Sequence, residues 1–187
     1  MKKLIEEINR IIPLDEIATS KISSVVSQTI ILKDDFLLKQ DTTEKYLYFI
    51  ETGLLCGIIF KPEKTLINWF ATENEFVTSL YSFITQKPSF ESIVALEDSE
   101  LYKIRHDDLQ KIFLEIPAFE RLGRILTEQY YVQLEERTLS FQYQSARQRY
   151  DNFVQSYPSL LQRISLGQLA SYLGISQETL SRVRAKK

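Results

Sequence analysis

The side chains best equipped for chemistry gather near the C-terminus: Ser165, Ser176, Gln177, Glu178, Thr179, Ser181 and Arg182. Gln and Arg carry forked donors that match base edges, and Ser and Thr hydroxyls reach phosphate oxygens. Their spacing says how they are held. Ser165 with Gln168 three residues later reads as a capping box that opens a short helix. Leu166, Leu169, Ala170 and Leu173 follow at helical spacing. Gly174 then stands where a helix ends on a positive φ. Ile175 is an apolar plug, and Ser176 caps a second helix. Glu178 lies in its first turn, where the helix dipole favours an anion. Leu180 and Val183 point inward, which leaves Gln177, Glu178, Ser181, Arg182 and Arg184 outward. Two short helices around a tight turn, the second with a polar and cationic face, fit a helix-turn-helix that enters a major groove. A hairpin that only buries its apolar stripe would share the spacing. The small Ala170 at the crossing and the Gln, Thr and Arg on the outer face favour the groove reader.

Elsewhere the chemistry is sparse. One histidine, His106, allows no His-rich metal site and no dyad beyond itself. It reads as a surface residue at a helix start. One cysteine, Cys56, excludes an internal disulfide and a cysteine cluster, and its place in an apolar strand makes it a core residue. No phosphate-loop, dinucleotide or zinc-protease motif occurs. The carboxylates fall in turns and on exposed helix faces. No catalytic residue, cofactor or metal ligand is therefore expected, and the chain does not read as an enzyme.

The elements that must hold the C-terminal cluster come next. The chain has 187 residues and a net charge of −2. From Gln144 onward, seven basic residues (Arg147, Arg149, Arg163, Arg182, Arg184, Lys186, Lys187) face only Asp151 and Glu178, so that segment is +5 and the rest −7. A small basic reader on an acidic scaffold has this asymmetry. No run of 18 apolar residues occurs, and the N-terminus turns acidic at Glu6 and Glu7 too early for a signal peptide. A cytoplasmic protein with no membrane partner is expected.

Leu4 to Ile12 is an amphipathic helix stopped by Pro13, and a second helix follows from Leu14 through Val26. From Thr29 the texture changes to short β-branched and aromatic runs: 29–32, 36–38, 46–50, 54–60, 65–70, 76–77, 93–96 and 101–104, with turn residues between them. Such spacing predicts a β-sandwich or barrel. A short helix begins at His106. Pro117 opens a long helical pattern from about 118 to 139, in which Ile125, Val132 and Leu139 lie one heptad apart. That seam wants a partner, either a second copy or the chain's own barrel. Residues 141–144 are the expected hinge, and Ser145 to Tyr157 forms another helix before Pro158. The sequence given ends three residues after Arg184, so no β-hairpin wing is expected there.

The string LASYLGISQETLSR resembles the helix-turn-helix of the Crp/Fnr (cyclic-AMP receptor protein-like) family of bacterial transcription regulators. Glu178, Thr179 and Arg182 match that family's recognition helix, while Gln177 stands where an Arg is usual, a change that suits adenine better than guanine. LYFIETGLL and ALEDSELYKI resemble the same family's sensor domain. The resemblance implies an α+β chain. Residues 1–116 would form an N-terminal β-roll sensor, cyclic-nucleotide-binding-domain-like and a double-stranded jelly-roll. Residues 117–141 would form a long dimerisation helix, and 142–187 an all-α helix-turn-helix DNA-binding domain. The implied partners are double-stranded DNA, a second copy in a homodimer, and RNA polymerase. A small-molecule effector stays open. The alternative is a stand-alone ligand-sensing or protein-interaction module.

Nucleotide-binding members of that family carry a Gly-Glu-Leu run and an Arg-Ser/Thr-Ala run. Here the corresponding stretches read Thr78-Ser79-Leu80 and Ser89-Phe90-Glu91, with Lys87 the nearby cation. Glu91 would repel a phosphate. Cyclic AMP is therefore not expected to bind in the usual way. The pocket holds another molecule or is filled by Trp69, Phe70, Tyr81, Phe83 or Phe90.

Overall fold

The computed structural model describes residues 1–185. Helices α1 (Lys2–Ile11) and α2 (Glu16–Val25) come first, with Asp15 capping α2 through Ala18 N–H at 2.7 Å. Then follow β1 (Ser27–Ile31), β2 (Phe36–Leu38), β3 (Tyr46–Thr52), β4 (Leu55–Lys61), β5 (Lys64–Ala71) and β6 (Phe76–Val77). Next are α3 (Leu80–Thr85), β7 (Ser92–Ala95) and β8 (Ser99–Arg105). The strands form two antiparallel sheets, ordered β1-β8-β3-β6 and β2-β7-β4-β5. Ile50, Leu55, Ile93 and Leu101 are sealed between the two sheets. Each run expected as a strand is a strand, within a residue or two. The helix α3 has no counterpart in the sequence reading.

Helices α4 (His106–Glu115) and α5 (Pro117–Tyr143) follow without a loop between them. Pro117 sits at the start of α5, where its missing N–H costs nothing. Phe119 and Leu122 pack with Leu4, Ile8, Ile22, Leu109 and Ile112 in a core shared with α1, α2 and α4. Beyond that the helix leaves the body, and every residue from Thr127 to Glu136 is exposed. The segment expected as a hinge continues the helix to Tyr143, and the break comes at Gln144 in extended backbone. His106 opens α4 as expected, but it is not a surface residue. Its ring stands edge-on to Phe83, 5.1 Å between centroids, and its side chain is only 20 % exposed.

Helix α6 (Ala146–Ser156) opens with a capping box between Ser145 and Gln148. A single 3-10 turn at Pro158–Gln162 leads to α7 (Leu166–Tyr172) and α8 (Gln177–Ala185). Phe153, Leu160, Leu169, Ala170, Leu173 and Leu180 make their core. Lys186 and Lys187, counted above in the basic segment, lie outside the described residues.

Candidate nucleic-acid interface

The cap chemistry read from the sequence is present. Ser165 Oγ accepts from Gln168 N–H at 3.2 Å while Gln168 Oε1 accepts from Ser165 N–H at 2.8 Å. Gly174 has φ +65°, a conformation that a side chain would strain. Ser176 Oγ accepts from Thr179 N–H at 3.1 Å. Leu180 is buried and Val183 half-buried, so Gln177, Glu178, Ser181 and Arg182 share the outer face of α8 and are all exposed. The site residues of the sequence reading thus assemble on one surface. Ser165 and Ser176 mark the adjacent starts of α7 and α8. Gln177 spans them: a Cβ on Gly167 would lie 3.0 Å from its Nε2. Thr179 is partly covered, and its hydroxyl receives the Ser176 O–H at 3.1 Å. Hydrogen bonds from Ser176 and a backbone N–H, with Arg182 nearby, lower the Glu178 carboxyl below its ordinary range. It is therefore an anion facing solvent beside a cation.

Sequence reasoning missed how this unit is mounted. The domain leans on the β-roll as well as on the long helix. Leu54 of the roll belongs to the α6–α8 core, and Phe70 packs against Phe153 and Tyr172 at 6.4 and 5.3 Å. Ser171 Oγ accepts from Ile67 N–H at 2.9 Å and donates to Thr65 O at 3.0 Å, so α7 satisfies the free edge of β5. Arg163 makes paired hydrogen bonds of 2.6–3.0 Å to both Glu73 and Glu97. Partial burial alone would raise the Glu73 carboxyl. Arg163 and backbone N–H groups, including that of Gly53, outweigh it and hold the carboxyl at about 2. On the α5 side, Arg137 and Arg149 donate to Tyr172 O and Leu173 O at 3.1 and 3.0 Å, capping the negative end of α7. Arg137 also lies 4.0 Å over the Tyr172 ring.

The β-roll pocket departs from the resemblance in a definite way. Glu91 is buried at 8 % exposure, and its Oε2 accepts from Asn68 Nδ2 at 2.9 Å and Trp69 Nε1 at 3.0 Å. Burial raises its carboxyl above the ordinary range, against these hydrogen bonds and one from Ser79. A phosphate at this point would meet a carboxylate and no cation. Of the aromatics expected as fillers, Trp69 is the one that lies here. Phe70 faces the helical domain, and Phe83 joins the helix core. Tyr81 and Phe90 stack on each other at 4.5 Å, both exposed. The residues present do not fit a cyclic nucleotide's phosphate. Cys56 is buried as expected, and burial pushes its thiol up to about 12. Among the described residues no cluster suits a metal ion, and no helix is long and apolar enough to cross a membrane.

Comparison with known proteins agrees with this architecture. Residues 29–115 match the model of the cyclic nucleotide-binding domain. A search of curated proteins returns no match. Among solved structures, FixK2 from Bradyrhizobium japonicum is 18 % identical, with a TM-score of 0.75 over 87 % of this chain and 84 % of that one. The c-di-GMP responsive global regulator CLP from Xanthomonas campestris is 17 % identical, with a TM-score of 0.72 over 92 % and 91 %. A Eubacterium rectale protein assigned as a transcriptional regulator of the Crp/Fnr family is 17 % identical, with a TM-score of 0.69 over 91 % and 82 %. With a jelly-roll of two four-stranded sheets, a 27-residue helix leaving it and a capped helix-turn-helix docked on its edge, the chain shares the fold of these regulators, and its residues 29–115 match the cyclic nucleotide-binding domain family.

Proposed function

We propose that the chain is a cytoplasmic, homodimeric, sequence-specific DNA-binding regulator of transcription. It divides into the sensor at 1–116, the dimerisation helix at 117–141 and the reader at 142–187. The observation that carries this reading is the outer face of α8. Gln177, Glu178, Ser181 and Arg182 stand exposed on a helix whose other face is buried, with two capped helix starts beside them. In a major groove, Gln177 and Arg182 reach base edges and Glu178 holds Arg182 in register. Ser165, Ser176, Thr179 and Ser181 lie toward the phosphates. The exposed half of α5, with Tyr131, Val132, Leu134 and Leu139 on it, is the surface for a second copy. Such a dimer spaces two readers about 34 Å apart, one turn of the duplex. Cyclic AMP is not the effector, since Glu91 stands where its phosphate would go.

The test is a gel shift on fragments selected from genomic DNA. Arg182→Ala should weaken the specific complex roughly 10- to 100-fold with an unchanged melting curve. Unchanged operator affinity would refute the assignment. Failure of duplex DNA to retain the intact protein at low salt, where a DNA binder is held and then elutes steeply as salt rises, would favour an interaction module without DNA binding.

A further inference from the structure

Four parts of the β-roll converge on one carboxylate. Strand β5 holds an extra residue, Asn68, between the pairs Ile58–Ile67 and Gly57–Trp69. Neighbours in a regular strand face opposite ways, and a bulge re-aims one of them. Here it brings Asn68 Nδ2 and Trp69 Nε1 to the same Glu91 oxygen. Residue 57 of β4 is a glycine: a Cβ there would run into the Trp69 indole and the Glu91 carboxylate, so both lie directly against the strand. The backbone of Glu91 is fixed as well. Ser89 Oγ accepts its N–H at 3.1 Å and donates to its carbonyl at 2.7 Å. Ser89 Oγ also shares a 2.8 Å hydrogen bond with Ser79 Oγ, just ahead of α3. The two stretches that correspond to the family's nucleotide-binding runs are therefore tied to each other. The N–H and O–H donors that an incoming anion would need already have one.

We propose that Glu91 is a tethered internal anion. Its carboxylate fills the anion subsite of the β-roll and joins β5, β7 and the start of α3, as the phosphate of a bound ligand would. The inference deepens the reading that cyclic AMP is not the effector, and it adds that the roll needs no effector anion to be assembled. Its donors are neutral amide, indole and hydroxyl groups, which suit a small carboxylate as well as a phosphate.

Trp69 is the only tryptophan in the chain, so its fluorescence reports on this subsite alone. In Glu91→Ala, emission should shift to the red, acrylamide quenching should rise and Tm should fall by roughly 5 °C. Sodium formate or acetate should then reverse the emission shift and quenching in the variant, while sodium chloride at equal ionic strength should not. Glu91→Gln keeps the shape and one acceptor, and should fall between wild type and Glu91→Ala. Unchanged quenching in Glu91→Gln and Glu91→Ala, or a Glu91→Ala protein that formate and acetate leave as it is, overturns the internal anion. A saturable change in wild-type Trp69 emission with cyclic AMP or cyclic GMP overturns the underlying reading of the pocket instead. Neither measurement involves DNA.

Discussion

Glu44 shows how one side chain can hold an element and still cost stability. Its Oε1 accepts from Lys45 and Tyr46 N–H at 2.8 and 2.9 Å, which fixes the approach to β3. Its backbone N–H donates to Ser82 Oγ and its carbonyl accepts from Gln86, so the same residue anchors α3. Its Oε2 is buried without a hydrogen-bond partner among the described residues. Burial pushes the carboxyl up to about 7, against the two backbone N–H groups and Tyr48. An acid raised by folding holds its proton between its ordinary value and about 7, where the unfolded chain has released it. Stability therefore falls as pH rises through that window, and the loss is complete above it. Glu44→Gln should remove this slope, for a gain of up to about 3 kcal/mol at pH 8 and little change at pH 4. Glu91 and Glu75 are also raised and titrate in the wild type, so the difference between wild type and variant is the quantity to measure. Thermal melts across pH check it: a constant offset at every pH would mean the side chain matters only for its shape.

The short helices α7 and α8 depend on their ends more than on their length, because a helix of seven or nine residues is marginal alone. Ser165→Ala opens the capping box of α7 and should lower stability by about 1 kcal/mol, read in urea unfolding. Faster hydrogen exchange at Gln168 and Leu169 would localise the loss to that end, and exchange no faster than in wild type would deny the cap its role. Features of this kind were legible in the sequence because they are local. Ser165 and Gln168, Gly174, and Ser176 with Thr179 each announce themselves within four residues. The strands were legible too, from β-branched and aromatic runs between turn residues. What escaped was set by parity and by distance. The extra Asn68 is turned to the same Glu91 oxygen as its neighbour Trp69, and ordinary alternation then sends Phe70 to Phe153 and Tyr172. What faces each side of β5 is set by elements far along the chain, so both aromatics read from the sequence as fillers of one pocket. Six residues of α3 gave too short a period to detect, and the pairing of Ser171 with Thr65 and Ile67 spans more than a hundred residues of chain.

The assembled chain is a helical C-terminal domain fixed to the β-roll at three places, with the far half of the long helix left uncovered. If that helix is the dimer seam, Val132→Asp with Leu139→Asp should give a folded monomer by light scattering. Operator affinity should then fall steeply, because one half-site is read at a time; a dimer that survives both charges would place the seam elsewhere. The mounting of the C-terminal domain is a separate matter. Arg163 reaches from the turn before α7 to Glu73 and Glu97 on the roll, and Ser171 closes the edge of β5 at Thr65 and Ile67. The Glu73 carboxyl is held at about 2, so its contribution is present above the ordinary carboxylate value and is lost only as pH falls toward 2. The clasp should thus survive at pH 4 and loosen in stronger acid. Glu73→Gln with Glu97→Gln removes both charges at any pH and leaves Arg163 partly covered with neutral acceptors, for a loss of about 1–3 kcal/mol. The Ile67 amide reports the outcome, since its partner is the Ser171 hydroxyl of the C-terminal domain. In the double variant its hydrogen exchange should speed up at neutral pH while the amides of β3 and β8 keep their wild-type rates. Equal acceleration in all these strands would mean that the two glutamates support the roll itself, and that the C-terminal domain is held by its apolar contacts alone.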